Sequence, residues 1–182
     1  MNQTALQFNG IDNYVDITSD WTWEGQDFTF EAWLTVPKLA DDAPQITLLS
    51  LEHGKTERTG LRLSRQLHRS LGSRVLNSSI YQSEFHPLIR DEIPTNQLTH
   101  LAVSWSNSSA SFFVDGHKQP AGESRHIYIL NKDGDLKHTY LAAFGGNKNS
   151  DNPQFFWRGL IHQARFTSGV LYDTDFTPEQ EF

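Results

Sequence analysis

The sequence predicts an all-β protein, an antiparallel two-sheet β-sandwich of the jelly-roll type. Short segments alternate apolar and polar residues along most of the chain, and turn signals such as Asp115-Gly116 and Gly145-Gly146 separate them. The best candidate for a helix, residues 62–73, has too few apolar residues to form a stripe along one face. The pattern accommodates roughly ten to twelve strands, which favours a sandwich over smaller β folds.

Length, charge and composition restrict the function classes. The chain has 182 residues, and we expect one domain over residues 1–182. Hydrophobic residues make up 37% and charged residues 20%, as is typical of a globular protein with a core. The net charge of -7 disfavours nucleic acid and anionic membrane surfaces as partners, and no apolar run is long enough to cross a bilayer. The lack of cysteine excludes disulfides, thiolate metal sites and cysteine nucleophiles.

The N-terminal residues carry no signal-peptide pattern, because a polar start leads directly into the first apolar run. Two locations are consistent with this start. We expect an extracellular or cell-surface module that belongs to a larger chain. The alternative is a cytoplasmic protein.

The most regular strand is predicted at residues 28–36, where every second residue is apolar. Trp33 falls on the face opposite Phe30 and Leu34, so we expect it to cover a second layer, a neighbouring loop or a ligand. Other strands are predicted at residues 45–51, 60–64, 75–81, 98–105, 111–114, 140–144 and 155–166.

Two turns follow from local composition. The opening stretch "LQFNGIDNYVDI" predicts a hairpin, with Asp12 and Asn13 in a turn of positive φ. Residues 98–105 and 111–114 form a second predicted hairpin, and Asp115-Gly116 then turns the chain tightly into His117.

Four stretches resemble, in order, the laminin-G-like domains of the concanavalin A-like lectin/glucanase superfamily: "ALQFNGIDNYVDI", "FTFEAWLTV", "LTHLAVSWSNSSASFFVDGHKQ" and "WRGLIHQARFTSGVLYDTDFTPEQ". The resemblance implies that the first and last strands pair. It also implies that His100 and Trp105 lie on a central strand and pack one sheet against the other. His162 stands where family members commonly carry an aspartate. Residues 62–92 match no motif of the family, and we expect a loop insertion there that builds the specific site.

The resemblance implies a non-catalytic, lectin-like carbohydrate-binding module. Catalysis is disfavoured because the chain lacks the Glu-x-Asp-x-x-Glu spacing that brings two carboxylates together on one strand, and it lacks a Gly-x-Ser-x-Gly elbow. A protein-interaction or adhesion module is the alternative, and a glycoside hydrolase or polysaccharide lyase ranks third.

Sugar binding requires aromatic faces for stacking beside polar groups that pair with hydroxyls. The predicted ligand contacts combine an asparagine-rich loop with nearby aromatic residues: Asn147, Asn149, Trp157, Tyr140 and Tyr81. Core or edge packing is the alternative role for each aromatic residue, because large rings usually bury.

Calcium is the metal that the resemblance implies, and oxygen-rich loops are its usual ligands. The predicted metal ligands are Asp133, Asp135 and Asp151. Asp12 is a further candidate. Solvated turns are the alternative, since Asn, Asp and Gly dominate ordinary turns as well.

Overall fold

The computed structural model describes residues 4–18, 27–38, 46–53, 59–65, 71–77, 82–87, 94–106, 109–119, 137–143 and 155–182. Within these ranges the regular elements are all strands: β1 (Leu6–Asn9), β2 (Val15–Asp16), β3 (Phe28–Thr35), β4 (Ile46–His53), β5 (Thr59–Arg65), β6 (Leu71–Asn77), β7 (Gln82–Pro87), β8 (Leu98–Ser106), β9 (Ser109–Val114), β10 (His117–Lys118), β11 (Lys137–Leu141) and β12 (Arg158–Ser168).

The strands form two six-stranded sheets. The first sheet has the order β1-β12-β3-β8-β9-β10, and the second has the order β2-β11-β4-β5-β6-β7. Every strand pair within the two sheets is antiparallel. The predicted two-sheet antiparallel architecture is therefore confirmed.

The opening stretch joins the two sheets instead of forming a hairpin. β1 pairs with β12, with Leu6 opposite Ile161, whereas β2 pairs with β11, with Asp16 opposite Tyr140. The expected pairing of first and last strands is confirmed, and the expected opening hairpin is wrong. Its apolar runs are too far apart in space to pair, because each belongs to a different sheet.

The turn between β1 and β2 also differs from its prediction. The residue with positive φ is Gly10, at 77°, and neither Asp12 nor Asn13 adopts such a value. The Asn9 side-chain oxygen accepts hydrogen bonds from three successive backbone N–H groups, those of residues 11, 12 and 13, at 2.9, 3.2 and 3.4 Å. Asn9 therefore organises the turn from its first residue.

The core lies between the sheets and follows the predicted period of two. On β3 the side chains of Phe28, Phe30 and Leu34 are at most 1% exposed. They pack with residues of β8, among them Trp105, and with residues of β4 in one apolar cluster. The inward position of Trp105 is confirmed.

His100 does not pack between the sheets as expected. It pairs with Trp33 across β3 and β8, and Trp33 lies on the outer face of the first sheet. Side chains alternate between the faces of a strand, so a histidine five residues before Trp105 points to the opposite side. His100 is nevertheless fully buried, because the C-terminal residues cover that outer face.

The predicted second hairpin is confirmed. β8 and β9 pair, with Leu101 opposite Val114, and Asp115 and Gly116 follow with φ of 49° and 78°. Two consecutive positive values suit the tight turn that leads into β10.

The described part of residues 62–92 consists of ladder-paired strands. The expectation of a loop insertion is thus wrong for β5, β6 and β7.

β12 begins at Arg158, three residues later than predicted. Phe155 has φ of 51°, which interrupts the extended conformation before the strand starts. A register shift also separates Ile161 from Gln163 on β12, and His162 lies at this irregularity. Its Nε2 atom lies 3.2 Å from the Thr35 hydroxyl, so His162 contacts β3.

Candidate functional site

Six of the predicted site residues lie outside the described residues: Asn147, Asn149, Tyr81, Asp133, Asp135 and Asp151. Their roles remain predictions. Among the described residues there is no group of three or more His, Asp or Glu side chains that could hold a metal ion. The described residues likewise contain no helix that is long and apolar enough to cross a membrane.

The other two predicted contacts, Trp157 and Tyr140, are core side chains. Trp157 is 0% exposed and Tyr140 is 4% exposed. A sugar can stack only on a ring face that it can reach, so in this conformation neither ring offers a platform. Trp157 instead belongs to the apolar core cluster, and the Tyr140 ring packs against the Tyr14 ring.

Among the described residues, the largest polar network surrounds Glu31, on the outer face of the first sheet. Glu31 is fully buried, and three side chains bind its carboxylate. Arg165 donates from Nε and Nη2 to Oε1 at 2.9 and 2.7 Å. Oε2 lies 3.1 Å from His100 Nε2 and accepts a hydrogen bond from the Tyr172 hydroxyl at 3.1 Å.

Burial and hydrogen bonding act on the pKa of Glu31 in opposite directions. Burial raises the pKa. The hydrogen bonds from His100 and Arg165, with the charge of Arg165, together lower it by more, so the net pKa lies below its usual value of 4.5. Burial, and after it the charge and hydrogen bond of the same carboxylate, raise the pKa of Tyr172. The network is therefore held with Glu31 ionised and the tyrosine protonated.

The C-terminal residues 169–182, which we term the strap, cover this network. Trp33 Nε1 donates to the Glu179 carbonyl at 2.8 Å, and the Arg165 guanidinium carbon lies 4.5 Å from the centre of the Phe182 ring. Phe176 stacks on Tyr172 at a centroid distance of 3.5 Å. Trp33 thus covers a neighbouring segment of the chain, one of the options predicted for it.

The strap makes the Glu31 network unsuitable for ligand chemistry. Glu31 and His100 have no exposed surface, and the carboxylate already accepts hydrogen bonds from three residues. A general acid or base must come within hydrogen-bonding distance of its substrate. We therefore assign this network to the scaffold.

A different part of the molecule presents aromatic side chains to solvent. We use the term aromatic corner for Tyr14, Phe156 and Phe155: the Tyr14 ring lies beside the Phe156 ring, and Phe155 precedes Phe156 in the chain. Tyr14 is 40% exposed and Phe155 is 39% exposed. The Tyr14 ring lies 6.2 Å from the Phe156 ring and packs edge-on against the buried Tyr140 ring at 5.2 Å.

Polar groups accompany the aromatic corner. Asp12 and Asn13 are exposed on the turn that carries Tyr14. The Asn9 amide nitrogen donates to Asp12 Oδ1 at 2.8 Å, which fixes the carboxylate. Exposed rings beside an oriented carboxylate can stack on the apolar face of a sugar and accept hydrogen bonds from its hydroxyls.

The sequence pattern did not predict that the Tyr14 and Phe155 rings are exposed. It placed Tyr14 in the opening hairpin and Phe155 in a strand. The available signal was the composition of the opening turn, where Ile11 and Tyr14 stand among polar residues. Periodicity could not separate an exposed ring from a buried one in so short a segment.

Comparison with solved structures identifies proteins of similar fold. The chain is 14% identical to the K499G mutant of NanB sialidase from Streptococcus pneumoniae, with a TM-score of 0.65 over 93% of this chain and 26% of the sialidase. It is 16% identical to Trypanosoma rangeli sialidase in complex with sialic acid, with a TM-score of 0.60 over 92% of this chain and 26% of that one. This chain therefore spans about a quarter of the length of these sialidases.

A third similar structure corresponds over nearly its whole length. It is the CBM40 of Ruminococcus gnavus IT-sialidase bound to α2,3-sialyllactose, which is 14% identical at a TM-score of 0.61. The match covers 93% of this chain and 94% of the CBM40. A search among curated proteins gives no significant match.

The family assignment comes from the sequence match. A laminin-G-like family model, described as the concanavalin A-like lectin/glucanases superfamily, matches residues 9–175. This range contains both sheets except the first residues of β1, and it ends within the strap. The chain belongs to the laminin-G-like group of the concanavalin A-like lectin/glucanases superfamily.

Proposed function

We propose that this chain is a non-catalytic carbohydrate-binding module. The observation that carries the proposal is the end-to-end correspondence with the CBM40 of Ruminococcus gnavus IT-sialidase, whose structure contains α2,3-sialyllactose. The match covers nearly all of the CBM40 and not only a part of it. This correspondence supports carbohydrate binding as the function of this chain. The superfamily assignment supports this class as well.

The sealed Glu31 network supports the non-catalytic part of the proposal. It is the most extensive set of interacting ionisable groups in the described residues, and the strap closes it to ligands. Glycoside hydrolysis requires two carboxyl groups that flank a bond of the substrate. A carboxylate that is fully buried beneath protein cannot take that position.

We propose a setting outside the cell, as one module of a larger exported or cell-surface chain. The similarity to NanB sialidase supports a modular setting, because a chain of this size corresponds to 26% of that protein. The glycan would be the ligand of the module, and the rest of the larger chain would carry any further activity.

Calcium remains part of the proposal as an aid to glycan binding. Asp133, Asp135 and Asp151 are the proposed ligands, because carboxylates in polar loops suit calcium. Asn147, Asn149 and Tyr81 are proposed to contact the glycan near them. These roles rest on the sequence pattern.

A glycan array tests the function and the metal together. The purified chain is applied to neutral and sialylated oligosaccharides, including α2,3-sialyllactose, once with calcium and once with EDTA. Binding that EDTA abolishes would support both the glycan and the calcium. Binding that survives EDTA would support the glycan and contradict the metal.

A protein-interaction module is the second candidate. Exposed aliphatic side chains favour it, namely Leu6, Ile11, Leu98, Val170 and Leu171, which are 43% to 72% exposed. A blank array under both conditions would contradict the carbohydrate proposal. Binding to a protein partner that Leu171→Asp abolishes would then support the second candidate.

A further inference from the structure

We infer that Tyr14 and Phe155 form a ring-stacking subsite for a pyranose, with Asp12 as the acceptor for its hydroxyl groups. This inference rests on the proposed function and names the surface that performs it. The surface is the aromatic corner and the turn beside it. It differs from the surface predicted from the sequence, which combined buried Tyr140 and Trp157 with the asparagine-rich loop.

Exposure is the first argument. A large aromatic ring contributes most to folding when it is buried, yet Tyr14 and Phe155 keep 40% and 39% of their surface in solvent. Ile11 on the same turn is 72% exposed. A single exposed apolar residue needs no explanation, but here Ile11 and Tyr14 are exposed on one turn, and Phe155 is exposed next to Phe156, whose ring lies 6.2 Å from that of Tyr14. Such a concentration of exposed apolar side chains indicates a binding surface.

Rigidity is the second argument. The Phe155 carbonyl accepts a hydrogen bond from Thr47 N at 2.7 Å, and Trp157 N donates to the Ala142 carbonyl at 2.8 Å. The backbone around Phe155 is thus attached to β4 and to the end of β11. Tyr14 is supported from the side by Tyr140. Rings that are fixed before binding lose little conformational entropy when a ligand stacks on them.

Backbone strain is the third argument. Phe155 has φ of 51°, a left-handed value that a residue with a Cβ adopts only at an energetic cost. Such conformations persist where the surrounding structure enforces them, and they cluster at ligand-binding positions. Phe155 combines this left-handed conformation with a ring that is 39% exposed, as is typical of a residue that contacts a ligand.

Asp12 supplies the polar component. Its Oδ1 atom accepts a hydrogen bond from the Asn9 amide at 2.8 Å, which orients the carboxylate on an exposed turn. An ionised carboxylate accepts several hydrogen bonds, so one bond from Asn9 leaves capacity for sugar hydroxyls. Asn9 also holds the backbone between Asp12 and Tyr14 through its side-chain oxygen.

Substitution of Tyr14 tests the subsite on the same glycan array. The affinity is compared for the oligosaccharide that the wild-type chain binds most tightly. Tyr14→Ala is expected to lower this affinity about tenfold, whereas Tyr14→Phe is expected to retain it because the ring remains. Leu98→Ala is the matched control, since Leu98 is 43% exposed and lies at the start of β8. It is expected to bind like the wild type.

The possible outcomes separate the subsite from the function. If the wild-type chain binds a glycan and Tyr14→Ala binds it equally well, the subsite is overturned and the proposed function stands. A wild-type chain that binds no glycan would overturn both. Equal losses in Tyr14→Ala and Leu98→Ala would also overturn the subsite, because the effect would not be local.

Phe155→Gly distinguishes a binding role from a structural one. Glycine relieves the left-handed strain, so the melting temperature is expected to stay the same or rise. Glycan binding is expected to fall about tenfold, because the ring is lost. A lower melting temperature with unchanged binding would show that the ring serves the fold, and it would overturn its place in the subsite.

Discussion

Arg165 holds Glu31 with two nitrogens, Nε at 2.9 Å and Nη2 at 2.7 Å from the same carboxylate oxygen. The two residues face each other on β12 and β3, at directly paired positions. Glu31 is fully buried, whereas the Arg165 side chain keeps 31% of its surface exposed. Arg165 also donates to the side chain of Glu179 in the strap. The pair thus connects the buried Glu31, on the outer face of the first sheet, to the strap.

Glu31→Gln is expected to lower the free energy of unfolding by about 2 to 4 kcal/mol, because it leaves buried hydrogen-bond partners without the carboxylate. Urea unfolding followed by fluorescence measures the change. Tyr172→Phe removes only one of the hydrogen bonds and is expected to cost about 1 kcal/mol. Equal effects of the two substitutions would contradict the central position of Glu31.

The stability of the protein is expected to depend on pH through Glu31. Its pKa is lowered in the folded state, so its ionised form stabilises the fold at pH values above the usual pKa of 4.5. This contribution is lost as the pH falls through the lower, folded-state pKa. Unfolding free energies of the wild type and of Glu31→Gln, measured from about pH 7 to pH 2.5, are expected to converge at the acidic end.

Parallel curves for the two proteins would contradict this linkage. Other carboxylates also titrate in this range, including Asp175, whose pKa is lowered by hydrogen bonds from the Lys118 backbone and His117. The comparison with Glu31→Gln removes their contribution, because both proteins contain them. The difference between the curves therefore reports Glu31 together with the groups that bind its carboxylate.

Gly116→Ala is expected to displace the strap. A Cβ at this position would overlap the Phe176 carbonyl oxygen and lie 2.9 Å from Pro178 Cδ. The residue also has φ of 78°. Overlap and strain together are expected to destabilise the protein by about 2 to 3 kcal/mol, as measured by thermal unfolding.

Gly169→Ala is the matched control for the strap. Gly169 has a similar φ of 84°, but no atom lies within 4 Å of the added Cβ. Its substitution is expected to cost about 1 kcal/mol, from backbone strain alone. If both alanine variants lost the same stability, contact between Gly116 and the strap would not contribute.

Asn9→Ala is expected to destabilise the turn between β1 and β2 by about 1 kcal/mol, because three backbone N–H groups lose their acceptor. The turn is exposed, so water replaces part of the loss. Asn13→Ala is the control, since Asn13 contributes its backbone N–H to the turn and alanine retains that group. Thermal unfolding of both variants measures the difference.

The sequence by itself determined where most strands lie and which side chains of β3 form the core. Alternation at residues 28–36 predicted the inward positions of Phe28, Phe30 and Leu34, because side chains of a strand point alternately to its two faces. The dipeptide Asp115-Gly116 predicted its turn for a similarly local reason. Family motifs added the pairing of β1 with β12.

Only the tertiary structure decided which sheet each short strand joins and which polar or aromatic residues meet. β1 and β2 are close in sequence but belong to different sheets. Glu31 and Arg165 are 134 residues apart, and no local pattern relates them. Tyr14 is exposed while Tyr140, its neighbour in space, is buried. Burial depends on the elements that pack over a residue, and those elements come from distant parts of the chain.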